Sequence, residues 1–173
     1  TDLLKNIGIQ NKEEYIGAYI LDPNPNKERL LRNLSKKLGL PLKIYSEMFY
    51  TKTTIKNKWN LDIEIGKIED RIDNIYNSKY FITDSFHGMC LAIIFNKNFI
   101  AIQNPGRGTA RFLSLLQQLN LSERLFLETD NINRFPKINY SYVNELLKQE
   151  VQHSLIWLSN SLSLSKKKSF STE

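Results

Sequence analysis

Apolar and polar positions switch between two periods along this chain, and each switch marks an element. The sharpest switch falls at residues 79–95. Tyr80, Phe81 and Ile82 form a short β-branched and aromatic run without clean alternation, as expected of a parallel strand covered on both faces. Thr83, Asp84 and Ser85 interrupt it. Either Asp84 or Ser85 can cap the helix that the apolar run Met89 to Phe95 predicts. Because no residue of that run is polar, this helix is expected to be central and to lack a solvent face. His87 falls in its first turn.

The same reading divides the rest of the chain. Residues 15–21 read as a strand, with Ile16, Ala18 and Ile20 on one side and Tyr15, Tyr19 and Leu21 on the other. Asp22-Pro23-Asn24-Pro25 then turns the chain, with Asn24 as N-cap and Pro25 at the first helical position. Leu30, Leu31, Leu34 and Leu38 form the inward stripe of a helix closed by Gly39 and Pro41. A second strand is predicted at 42–45. Residues 46–62 are rich in Lys, Thr and Asn, and a connection this long is a functional lid or a linker. Its aromatics Phe49, Tyr50 and Trp59 either cover a site or pin the loop to the domain. Ile65, Ile68, Ile72, Ile75 and Tyr76 predict an amphipathic helix over 66–77. A strand at 98–103, the turn 104–109, a helix with Phe112, Leu115, Leu116 and Leu119 inward, and a short strand near Leu125 follow. Residues 140–162 read as a long final helix with Val143, Leu147, Val151, Leu155, Leu158 and Leu162 along one face. His153 and Trp157 lie off that stripe.

Alternating strands and helices predict an α/β, Rossmann-like layered domain with a mostly parallel sheet over residues 14–163. Residues 1–13 read as a linker or truncated start, so the natural chain is expected to extend toward its N-terminus. Residues 164–173 read as a solvated tail. In such sheets ligands sit outside the carboxyl ends of the strands. The loops at 22–25, from Ser46, at 83–87 and at 104–111 all follow strands, so four polar loops are expected to converge on one edge.

Composition changes this picture little. Of 173 residues 41% are hydrophobic, enough for a core, and no run approaches the roughly 18 apolar residues of a membrane span. A cytoplasmic location is the expectation. Cys90 is the one cysteine, which excludes an intramolecular disulfide and a multi-cysteine zinc site. The net charge is +6, and the last eight residues supply +2 of it. That excess permits nucleic-acid, membrane-surface or anionic-metabolite partners without choosing among them. No GxGxxG follows a strand, and neither a P-loop nor a Gly-x-Ser-x-Gly elbow is present.

The candidate chemistry gathers at two turns. A helix start carries unpaired N–H groups and the positive end of the macrodipole, so the Ser85 to Gly88 turn suits an anion. A histidine there can take up or release a proton as ligand charge comes and goes. The alternative is that His87 only hydrogen-bonds neighbouring loops. Arg107 and Arg111 flank the next helix start, where each opposes the dipole by ~0.3–1 kcal/mol. Either an anionic ligand compensates them or each forms a surface ion pair with an acidic loop residue.

The segment Thr83-Asp84-Ser85-Phe86-His87-Gly88, the run Leu91 to Ile102, and Arg107-Gly108 with Arg111 to Leu116 and Leu119 to Leu121 together resemble the C-terminal domain of the polysaccharide pyruvyl transferase family, over roughly residues 62–126. The resemblance implies the second half of a GT-B-type fold, whose missing N-terminal domain closes a cleft. It implies transfer of a carboxyethylidene group from phosphoenolpyruvate to a sugar of a bacterial cell-surface or exopolysaccharide, with no cofactor, metal or nucleic acid. His87 matches the family histidine and is the candidate acid/base. Thr83, Asp84, Ser85 and Gly88 would bind the donor, with Arg107 and Arg111 as cations. Where some members carry an arginine two residues before the histidine, this chain has Ser85. Two other readings stand beside this one. A GT-B glycosyltransferase half would prefer a nucleotide sugar. A non-catalytic polyanion-binding module would lean on Lys166 to Lys168.

Overall fold

Strand and helix alternate strictly from Ile16 onward. In the computed structural model, which describes residues 14–46, 61–132, 135 and 137–169, with side chains to residue 163, the order is β1 (Ile16–Tyr19), α1 (Pro25–Leu38), β2 (Leu42–Tyr45), α2 (Ile68–Asn77), β3 (Tyr80–Thr83), α3 (Phe86–Ile94), β4 (Asn98–Ile102), α4 (Ala110–Gln118), β5 (Leu125–Phe126) and α5 (Tyr140–Ser169). The predicted lid residues Phe49, Tyr50 and Trp59, and the segment 1–13, lie outside the described residues.

All five strands are parallel, in the order β2-β1-β3-β4-β5, which is a Rossmann-like sheet. The pleat sends alternate residues to opposite layers. Ile16, Ala18, Ile82, Ile100 and Ile102 meet Leu30, Leu31 and Leu34 of α1 on one face. Phe81, Phe99 and Ala101 meet Ile75 of α2, Met89 and Ile93 of α3, Phe112 and Leu116 of α4 and Val143 of α5 on the other. After β1 the chain moves outward through α1 to β2; it then returns to the far side of β1 and proceeds through β3 and β4 to β5. The topological switch point therefore lies between β1 and β3.

Local chemistry sets the boundaries. Asn24 caps α1 by accepting from the Lys27 N–H at 3.0 Å, and Gly39 ends it at φ 63°, a left-handed conformation that glycine adopts without strain. Ser85, not Asp84, caps α3, its hydroxyl accepting from the Gly88 N–H at 3.3 Å.

Two apolar stripes end at the surface, against expectation. Helix α3 does have a solvent side, because it lies on one face of the sheet and Ile94 points away from it at 61% exposure. Along α5, Val143 is buried and Leu147 packs against the core, whereas Val151, Leu155, Leu158 and Leu162 are exposed, and the helix runs on to Ser169. Among the described residues no helix is long and apolar enough to cross a membrane.

Gly17 sets how closely α2 approaches the sheet. A Cβ there would lie 2.8 Å from Ser78 Cβ and 3.0 Å from the Asn74 carbonyl oxygen. Asn74 in turn donates from Nδ2 to the carbonyls of Ala18 and Lys43 at 3.3 and 3.2 Å, which ties the end of α2 to β1 and β2. Strand β1 is hydrogen-bonded on both sides and cannot retreat. Gly17→Ala is therefore expected to cost about 1–3 kcal/mol through overpacking, read as a lower urea midpoint with unchanged slope. An unchanged midpoint would contradict this close approach.

Candidate functional site

The loops after β1, β3 and β4 meet at the carboxyl edge of the sheet, and a buried carboxylate joins them. Asp84 is only 1% exposed. Its Oδ1 accepts from the Leu21 N–H at 2.6 Å, and its Oδ2 accepts from Lys27 Nζ at 2.7 Å, the Asp22 N–H at 3.1 Å and Asn104 Nδ2 at 3.3 Å. Lys27, equally buried, also donates to the Asp22 carbonyl at 2.8 Å. A buried charge persists only when paired and hydrogen-bonded, and this one is enclosed on every side. Asp84 thus holds the loops in place and has no surface with which to touch a ligand.

Thr83 and Ser85 shape the turn. The Thr83 hydroxyl donates to the Tyr19 carbonyl at 2.7 Å and accepts from the Ser85 N–H at 3.0 Å. Gly88 is required by this arrangement, since a Cβ would stand 2.6 Å from Thr83 Oγ1. With the Ser85 and Gly88 N–H groups taken, those of Phe86 and His87 are the ones α3 leaves without an intrahelical partner. His87 is exposed, its ring edge-on to Phe86 at 6.1 Å.

The two arginines differ in their partners. Arg107 forms a bidentate pair with Asp22, Nε at 2.7 Å and Nη2 at 3.1 Å, which is the surface ion pair. It is therefore committed to the loop after β1. Arg111 is exposed, donates to the Arg107 carbonyl at 3.1 Å, and lies over the Phe86 ring at 5.1 Å. Phe86 itself packs edge-on against Phe112 at 5.7 Å. Arg111 and His87 accordingly flank one aromatic ring at the start of α3.

Two clefts open on this edge. A polar one of about 590 Å³ is lined by Asp22, Asn24, Lys27, Asn104, Arg107 and Glu128 among others. Glu128 accepts from Asn24 Nδ2 at 2.7 Å and Asn26 Nδ2 at 3.0 Å, and these amides, Asn26 first, hold its carboxyl below the usual range. The second cavity, about 210 Å³ and mostly apolar, lies between α2 and α3. His87 and Gly88 share it with Tyr19, Arg71, Ile72 and Leu91. Among the described residues no three His, Cys, Asp or Glu side chains cluster as metal ligands would.

Sequence reading overlooked Lys27, Asn104, Glu128, Tyr19 and Arg71. Two of them carried a signal. Lys27 sits in the first turn of α1, where the dipole argument used for Arg107 and Arg111 applies equally and calls for an anion, here Asp84. Arg71 stands three residues after Ile68 and four before Ile75, at the spacing of the isoleucines of α2, of which Ile75 is buried and Ile68 exposed.

The Asp22 carboxyl is held down to about 2, chiefly by the hydrogen bond from Arg107, with Asn104 helping and partial burial opposing. A value below that of the unfolded chain means that the pair contributes its stability above the ordinary carboxylate range and loses it as pH falls toward 2. A carbon-13 titration should place the Asp22 midpoint at about 2. In Arg107→Gln it should move toward about 3.9. A wild-type midpoint already near 3.9 would dissolve the pair as a fixed feature of the site.

The chain matches the family model Polysaccharide pyruvyl transferase over residues 4–105, which takes in β1 through β4 and the Ser85 to Gly88 turn. A search of curated proteins finds no match.

Proposed function

Because this chain belongs to the polysaccharide pyruvyl transferase family, we propose that it is the donor-binding, C-terminal half of a two-domain GT-B-like enzyme that moves a carboxyethylidene group from phosphoenolpyruvate to a sugar. Family membership implies a transferase acting on sugars. The phosphoenolpyruvate donor, the polysaccharide acceptor, the role as a C-terminal half and a cytoplasmic site of action are this reading's own additions.

One observation carries the reading. An exposed histidine stands in the first turn of α3, at the carboxyl edge of a parallel sheet, between a small cavity and an arginine that no carboxylate neutralises among the described residues. The reaction requires such an array. Ketal formation puts a proton on the methylene carbon of the donor, adds a sugar hydroxyl to the adjacent carbon, and lets a second hydroxyl displace phosphate by breaking the carbon–oxygen bond. On this reading His87 delivers that first proton and takes one back from a hydroxyl. The N–H groups of Phe86 and His87, unpaired among the described residues, with Arg111 beside them, suit the phosphate that carries away the charge. Thr83, Ser85 and Gly88 set the shape of this turn, Asp84 fixes its distance from the loop after β1, and Arg107 braces that loop. The acceptor would be presented by the other half of the enzyme, so residues 1–173 alone are expected to bind donor without turning it over.

Calorimetric titration tests this reading. Phosphoenolpyruvate should bind the wild-type chain in preference to a uridine diphosphate sugar, and His87→Ala should weaken it about tenfold, the loss of one charge-assisted hydrogen bond. Preference for the nucleotide sugar would overturn the donor assignment in favour of glycosyl transfer. Salt-sensitive binding of any polyanion, indifferent to His87, would remove catalysis from this site altogether.

A further inference from the structure

Two arginines lie across aromatic rings near the start of α3. Arg111 covers Phe86, and Arg71 covers Tyr19 at 5.5 Å. Their surroundings differ. Arg111 is exposed, whereas Arg71 is half-buried and lines the same cavity as His87. The Tyr19 hydroxyl receives Arg71 Nη1 at 3.1 Å, and the Lys67 carbonyl receives Nε at 3.4 Å. These contacts fix the plane of the guanidinium and its direction.

Among the described residues no carboxylate pairs with Arg71. Lys27, Arg32, Lys79, Arg107 and Arg124 each have one. Two acidic residues of α2 are engaged elsewhere: Asp70 accepts from the Lys67 N–H at 2.8 Å, and Asp73 from the Asn77 amide at 2.7 Å. An arginine drawn into an isoleucine stripe, held by neutral oxygens and left without a counter-ion, is stable but electrostatically incomplete.

The cavity limits what can complete it. At about 210 Å³ it falls short of the pockets that hold drug-sized ligands. Those start at roughly 300 Å³, so a three-carbon acid fits here better than a nucleotide. Its walls are mostly apolar, with Ile72 and Leu91 on either side and the one guanidinium at Arg71. Such a space suits a carboxylate attached to a short unsaturated carbon chain. A phosphate dianion loses more hydration on entering it and is better left at the exposed turn.

We propose that Arg71 is the cation that binds the carboxylate of the enolpyruvyl donor, its fork engaging both oxygens beside His87 and its orientation set by the Tyr19 hydroxyl. This assignment rests on the donor reading above. It divides the two anionic groups of one small molecule between two places, the carboxylate in the cavity at Arg71 and the phosphate at the start of α3. Arg71 would then set specificity, since a donor without a carboxylate would leave the guanidinium desolvated and unpaired.

The test is an NMR titration of the 173-residue chain with phosphoenolpyruvate and, separately, with inorganic phosphate, in wild type, Arg71→Gln, Arg71→Lys and Arg29→Gln. Arg29 lies on α1, away from the cavity, and controls for loss of one positive charge. Arg71→Gln should weaken phosphoenolpyruvate about tenfold or more, and leave inorganic phosphate within about twofold. Arg71→Lys should recover part of the affinity, because it restores charge without the fork. Equal phosphoenolpyruvate affinity in wild type and Arg71→Gln, or a parallel loss of phosphate binding, would overturn the assignment of Arg71 and leave the donor reading standing. Failure of the wild-type chain to bind phosphoenolpyruvate would overturn both.

Discussion

The carboxyl edge of this domain depends on one buried charge. Asp84 enters the interior at the end of β3 and there accepts from two backbone N–H groups of the loop after β1, from Lys27 of α1 and from Asn104 after β4. An ion pair this deep gains little net stability, because desolvation costs several kcal/mol per ion. Its consequence is geometric. Losing either partner strands the other charge, at ~3–5 kcal/mol, so the three loops can adopt one relative arrangement and few others. Because Asp84 is followed directly by the capping Ser85, the start of α3 inherits that arrangement.

From this follows the division of the edge into two unlike clefts. On the side of β1, β4 and β5, carboxylates are paired or hydrogen-bonded around a polar opening: Asp22 with the Arg107 cation, Glu128 with the amides of Asn24 and Asn26. On the side of α2 and α3 the walls are mostly apolar, and the polar groups include His87, Arg71 and the Tyr19 hydroxyl. Among the described residues, Asp22 in the first cleft has a cation partner, whereas Arg71 in the second has no carboxylate partner.

How much of this the sequence discloses depends on the range of the interaction. Caps and turns are local, so Asn24, Pro25 and Gly39 could be read within a few residues of each element, and the cap of α3 narrowed to Asp84 or Ser85. The period of the apolar positions gave the strands, and the alternation of strand and helix gave the parallel sheet. Apolar pattern alone, however, says that a face prefers burial and not that this domain buries it, which is why Ile94 and the outer half of α5 were misplaced. The pairing of Lys27 with Asp84 spans 57 residues and leaves no local trace beyond a cation at a helix start. Arg71 was hidden differently: a stripe of isoleucines draws attention to its apolar members, and the arginine at the same spacing is passed over. The polar interruption of two apolar runs isolates His87 in the sequence, and the structure has it exposed in the first turn of α3.

A crystal structure of the chain with phosphoenolpyruvate bound tests the central claim most directly. The account predicts the donor at the start of α3, within hydrogen-bond reach of His87, its carboxylate turned into the cavity between α2 and α3. A donor seated instead in the polar cleft among Asp22, Asn104 and Glu128, out of reach of His87, would contradict it.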